Sequence, residues 1–279
     1  MPLQPPDTRP GSTKREPATR GSRQRIAPPR RTSKGTLVAL VVLGAAACAP
    51  AAARAAEARA EVQINLCSDP KETIRALQLR PDGAPLEVWY FESDDRQAFD
   101  RGTVFRLRTT GRSGELTLKV ADQDCTRIDP AALRRGGGKC EYDLHGTDFR
   151  GAVSLTRELG ETVASALVAG RLPLQDALGD AQVRYLREHT TAWPLPSGLA
   201  PRGPVRIDAY RAAGGKAVVE VWTLPSGRRY IEMSQKTGRG DALRLRAALE
   251  GELARAGAVR CADQSSQAGN KARDLVGRP

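Results

Sequence analysis

Residues Trp89–Val120, WYFESDDRQAFDRGTVFRLRTTGRSGELTLKV, constrain the fold more than any other part of the chain. Thr103–Thr110 alternates between apolar and polar side chains, Gly111-Arg112-Ser113-Gly114 turns, and Glu115–Val120 alternates again, which is the pattern of a β-hairpin. Successive strand side chains point to opposite faces, so Phe105 and Leu107 share a face with Leu116, Leu118 and Val120. The other face carries Arg106, Arg108, Glu115, Thr117 and Lys119. With Thr110 opposite Glu115, the register predicts Arg108 facing Thr117 and Arg106 facing Lys119. That like-charge neighbour is mildly destabilising unless an anion lies between the two.

Alternation predicts further strands at Glu61–Leu66, Leu86–Glu92, Cys140–His145, Val205–Ala212, Ala217–Leu224 and Arg228–Lys236, eight in all. Asp69, Pro70 and Glu72 mark a helix start, with Asp69 as the capping residue. Asp94–Asp100 reads as a helical turn. Leu155, Leu159, Val163 and Leu167 recur every fourth residue and predict an amphipathic helix, followed by a second over about Leu174–Glu188. Asp241 starts a closing helix with Leu245, Leu249 and Leu253 as its buried stripe and Gly257 as its end. The segment Asp122–Lys139 reads as a loop of solvated charge.

The chain has 279 residues, room for one domain of about 200 residues plus appendages. Of the net charge of +12, nine Lys/Arg against two Asp/Glu fall in residues 1–35, so the basic excess sits mostly in a leader. With the charge so placed, the high pI says little about nucleic acid, and only 4% aromatic residues weakens a base-stacking reading, so no nucleic-acid partner is expected. Residues 1–35, rich in Pro, Arg, Ser and Thr, are expected to be a disordered basic leader. Residues 36–60 read as an export signal: basic residues, a short apolar core from Leu37 to Leu43, and small residues that place cleavage after Ala53 or Ala55. The folded domain is expected over 61–261 and a disordered tail over 262–279. Export implies the periplasm or cell envelope, with membrane contact only through the signal or through a lipid anchor. Ala45-Ala46-Ala47-Cys48 resembles a bacterial lipobox, which makes Cys48 the anchor candidate. The oligomeric state is not legible.

Apart from Cys48, the cysteines are Cys67, Cys125, Cys140 and Cys261. Four thiols in an exported domain suggest two disulfides, for which three connectivities exist. The preferred pairs are Cys125–Cys140, closing the loop around Gly136-Gly137-Gly138, and Cys67–Cys261, tying the C-terminal extension to the first strand.

The run Tyr90-Phe91-Glu92-Ser93, then Arg101-Gly102, Phe105-Arg106-Leu107-Arg108 and Leu116-Thr117-Leu118-Lys119, resembles the CYTH superfamily of triphosphate tunnel metalloenzymes. The resemblance implies an α+β fold: an eight-stranded antiparallel tunnel-like β-barrel with helices packed outside and its charged face inward. It further implies that Arg106, Arg108 and Lys119 grip a phosphate-rich anion, joined by Arg206 and Lys236 from the other half. Glu61, Glu220 and Glu232 become candidate ligands for Mg or Mn, with Glu220 and Glu232 as the catalytic candidates. Glu220 stands out independently, because an inward carboxylate between Val219 and Val221 demands a partner. The family's first strand reads E-x-E-x-K, whereas this chain has Glu61-x-Gln63-x-Asn65, so its acidic half is depleted. Three readings follow: an anion-binding domain with weak or no hydrolysis, an active Mg- or Mn-dependent triphosphatase, and a non-catalytic envelope or partner-binding module.

Overall fold

The computed structural model describes residues 58–111, 113–265 and 271–275. The leader, Cys48, most of the export signal and much of the tail lie outside the described residues. Within them the chain begins with β1 (Arg59–Leu66), α1 (Pro70–Ala76), a two-residue β2 (Arg80–Pro81) and β3 (Leu86–Glu92). Then come α2 (Gln97–Asp100), β4 (Thr103–Thr110), β5 (Ser113–Ala121), α3 (Pro130–Arg135), β6 (Gly138–His145) and β7 (Asp148–Gly160). Three helices follow, α4 (Glu161–Val168), α5 (Leu174–Ala177) and α6 (Asp180–His189), before β8 (Ala200–Arg211), β9 (Val218–Thr223) and β10 (Arg229–Gly238). The chain ends in α7 (Ala242–Arg255) and α8 (Lys271–Leu275).

The sheet runs β8-β3-β4-β5-β7-β6-β1-β10-β9, and β9 pairs back onto β8, closing a nine-stranded ring. Every neighbour in that ring is antiparallel except β1 and β6, which run parallel. A barrel with helices outside is therefore the architecture, as the alternation and the resemblance together led one to expect. It has one strand more than the eight counted from the sequence, and it is not wholly antiparallel. The additional strand is β7. The four-residue spacing of Leu155, Leu159, Val163 and Leu167 spans a strand–helix junction at Gly160, so a helical period emerges from two different elements. Within β7 itself Val153 and Leu155 obey the period of two and are buried.

The apolar core lies outside the ring, between sheet and helices. Phe105, Leu107, Leu116, Leu118 and Leu155 pack against Leu167, Leu174 and Leu186 of α4–α6. On the opposite wall Val62, Ile64, Leu144, Ile231 and Met233 pack against Leu249 and Leu253 of α7. Buried Gln182 ties α6 to the sheet, its Nε2 donating to the carbonyls of Leu116 and Leu155 at 3.0 Å each. Asp69 caps α1 as expected, its carboxylate accepting from the backbone N–H of Lys71 at 2.8 Å. A third cluster, Val88, Tyr90, Val205, Ile207, Trp222 and Leu224, fills part of the interior and is covered by Ala272 and Leu275 of α8.

Both preferred disulfides are present, Cys67–Cys261 and Cys125–Cys140. The second closes a loop with a sequence separation of 15 residues. Removing it as Cys125→Ser/Cys140→Ser should lower unfolding stability by about 3 kcal/mol, since a loop of that length gives up roughly this much denatured-state entropy. Urea unfolding checks it, and a loss under about 1 kcal/mol contradicts it.

Candidate functional site: a charged cavity inside the barrel

Cross-strand register decides which side chains enter the ring. Residues opposite one another in a ladder share a face, so Arg106 (opposite Tyr90 and Thr117) sets the inward phase for β3 and β5. Carried round the sheet, the same phase brings in Glu61 and Gln63 of β1, Lys139, Glu141 and Asp143 of β6, Glu220 and Trp222 of β9, and Glu232, Ser234 and Lys236 of β10. These side chains, with Arg106, Arg108, Glu115, Thr117 and Lys119, line a cavity of about 320 Å³.

Two details of register differ from the sequence reading. Thr110 faces Ser113, so Arg108 lies opposite Glu115, Arg106 opposite Thr117 and Lys119 opposite Val104. The turn is shorter than expected because Ser113 and Gly114 belong to β5. Gly114 answers to packing: a Cβ there would stand 2.9 Å from Leu107 Cδ1 and from Ala164 Cβ of α4. The expected Arg–Lys neighbours are thus replaced by an Arg–Glu pair of opposite sign.

Arg206 does not join the cavity. Val205 and Ile207 take the inward positions on β8 and are buried in the interior apolar cluster. Arg206 consequently faces outward with its side chain 58% exposed, forked onto Asp208 at 2.7 and 2.9 Å. The phase of β8 is the reverse of the one expected from an apolar outer face, because here the inner face is the apolar one.

The other candidates are gathered in one space: Arg106, Arg108, Lys119, Lys236, Glu61, Glu220 and Glu232. Lys139, in a segment whose sequence reads as loop, lines the cavity with them because β6 starts at Gly138; its place beside the strand residue Cys140 is the sequence signal for this. Asn65, opposite Glu232 on the same face, falls outside the lining of this cavity and lies near the Cys67–Cys261 disulfide. Glu220 has the partner its position demanded: Trp222 Nε1 donates to its carboxylate at 3.1 Å. Glu232 lies directly opposite Glu220 on the neighbouring strand.

The lysines and arginines are used differently. Lys119 Nζ meets Asp143 at 2.6 Å, while Glu141 receives Lys139 at 2.5 Å and Lys236 at 3.0 Å. Among the described residues, the buried Nε atoms of Arg106 and Arg108 have no hydrogen-bond partner. Burial and the adjacent Arg108 both lower the pKa of Arg106, against the pull of Tyr90, Glu220 and Glu115, yet a guanidinium stays charged. A buried, charged donor left without an acceptor is costly, and an anion entering the cavity would relieve that cost. Among the described residues no group of three or more His, Cys, Asp or Glu side chains is placed to hold a metal ion. Glu61, Glu220 and Glu232 therefore share the cavity without forming a donor set.

Burial pushes the Glu61 carboxyl above its usual range; Lys236 opposes the rise, and Asp143, Glu232 and Glu141 add to it. Burial would also raise Glu141, but hydrogen bonds from Lys139 and Lys236 outweigh it and hold that carboxyl low. A raised carboxyl ionises less readily in the folded chain than in the unfolded one. Its cost to stability therefore builds as pH rises above the unfolded value near 4.3, is complete once pH passes the folded pKa, and vanishes below the unfolded value. Glu61→Gln should be more stable than the parent at neutral pH and lose that advantage on acidification. Unfolding curves for both proteins across pH 4–8 check this, and a variant less stable at pH 7 contradicts it.

No family model matches the chain and no curated protein matches it. Solved structures do. A candidate adenylyl cyclase from Hippeastrum is 15% identical with a TM-score of 0.51, over 76% of this chain and 93% of its own. A candidate adenylate cyclase from Bacillus halodurans is 13% identical with a TM-score of 0.49, over 75% of this chain and 95% of its own. At these identities the likeness is one of fold, and the first comparison carries it. The chain shares the overall barrel fold of the Hippeastrum protein.

Proposed function

We propose that the cavity binds a triphosphate- or polyphosphate-type anion with weak or no hydrolysis. The observation that carries this reading is the pair of arginines on β4, Arg106 and Arg108, turned inward with buried Nε donors that no protein acceptor satisfies. Guanidinium forks match phosphate oxygens, and charge-assisted bonds of this kind are about twice as strong as neutral ones. The Hippeastrum protein of similar fold is described as having a dominant triphosphatase activity, which favours phosphate chemistry over other anions. Weak turnover is inferred from the composition of the acidic wall, where Gln63 stands at a position that the resemblance expects to hold an acid. The signal-like stretch in 36–60 and the two disulfides support an exported protein of the periplasm or cell envelope.

Calorimetry with tripolyphosphate at low salt tests the reading. Arg106→Ala should weaken binding by about tenfold to a hundredfold, the equivalent of one charge-assisted hydrogen bond. Absence of binding to the parent protein overturns the proposal. Phosphate release with Mg²⁺ or Mn²⁺ should stay at background; release that Glu232→Gln abolishes would establish the triphosphatase instead.

A further inference from the structure

The two β6 carboxylates of the cavity are already neutralised by the chain's own lysines. Asp143 and Glu141 sit two residues apart on β6, their side chains only 14% and 15% exposed. Asp143 Oδ2 is 2.6 Å from Lys119 Nζ. Glu141 Oε2 is shared between Lys139 at 2.5 Å and Lys236 at 3.0 Å, and Arg59 stands 3.9 Å from its other oxygen. These lysines come from β5, β6 and β10, so three strands of the ring deliver ammonium groups to two carboxylates.

A hard divalent cation held on this wall would need those same oxygens; Glu61, Glu220 and Glu232 line the same cavity, but among the described residues no three carboxylates are grouped to hold a metal. Mg²⁺ demands oxygen donors at about 2.0–2.1 Å in near-octahedral array. It could reach Asp143 or Glu141 only by displacing an ammonium and then lying within a few ångströms of it. At about 4 Å, two such like charges repel strongly even at the effective dielectric of a protein surface. Gln63, on the neighbouring strand, offers a neutral carbonyl and no compensating charge. The low pKa of Glu141 fits a carboxylate committed to its lysines.

We infer that Lys119, Lys139 and Lys236 are the resident countercations of this wall, standing where a divalent metal would be sought. The ligand, on the reading proposed above, is then the metal-free form of an oligophosphate. An incoming anion can draw the lysines from the carboxylates without releasing them from the cavity. Mg²⁺ in solution competes for the phosphate and gives the complex nothing.

Manganese titration of the full chain without phosphate, followed by electron paramagnetic resonance of free Mn²⁺, tests the lysine assignment. The parent should show no saturable binding tighter than about 1 mM, the range of the weakest dedicated cation sites. Lys119→Met, which uncovers Asp143, should bind Mn²⁺ at least about tenfold more tightly, as should Lys139→Met/Lys236→Met, which uncovers Glu141. Saturable micromolar binding by the parent overturns the inference, and so do folded variants that gain nothing. The parent arm needs no substitution, so it decides even where a variant fails to fold. In parallel, tripolyphosphate calorimetry in chelator should match or exceed the affinity in excess Mg²⁺. A tenfold gain with Mg²⁺ overturns the metal-free ligand. No binding in either buffer overturns the proposed function, while the Mn²⁺ titration still judges the lysines.

Discussion

Closure of the sheet places a condition on every second side chain of nine strands: it must live inside a ring, where among the described helices only α8, over the interior apolar cluster, is seen to pack against it. Open sheets escape that condition by turning one face to water. Here the apolar face is committed outward, where Phe105, Leu107 and Leu118 meet α4–α6, and Val62, Ile64 and Met233 meet α7. The polar face has no alternative to the enclosed space. Arginines, lysines and carboxylates from segments far apart in sequence are consequently forced within reach of one another, and how they pair is the chemistry of the protein.

They pair unequally. Lysines and carboxylates satisfy each other at 2.5–3.0 Å, so that part of the wall is close to neutral. The arginines of β4 keep buried Nε donors without acceptors, an imbalance that favours an anionic visitor. Trp222 stands where the two halves of the interior meet, bordering the charged cavity and also belonging to the apolar cluster under α8. The charged space is thereby bounded on one side by aromatic and aliphatic side chains, and its polar contacts come from the remaining walls.

Much of this was legible in the chain before any coordinates. The hairpin around Arg106 and Arg108 announced itself because alternation and a glycine-bearing turn coincide there. The disulfide pairs followed from which loops and termini they would close. The remaining features are hidden in the sequence for physical reasons. β7 was hidden by leucines whose spacing straddles a strand and a helix. Arg206 was assigned inward because Val205 and Ile207 were expected on the outside, and the interior proved to have an apolar end. Lys139 was lost in a charged loop whose last residues are strand. Gly114 was read as turn, although its lack of a side chain serves the approach of α4. In each case tertiary packing selected among local patterns that were equally good on their own.

The central claim is that Arg106 and Arg108 await an anion, and their side-chain NεH groups report on it directly. In ¹⁵N NMR spectra recorded while tripolyphosphate is added, the NεH resonances of these two arginines should shift and exchange more slowly with solvent as they acquire phosphate acceptors. Arg206, on the outer face, should remain where it was. Unchanged signals from Arg106 and Arg108, with movement confined to exterior arginines such as Arg206, would contradict the account.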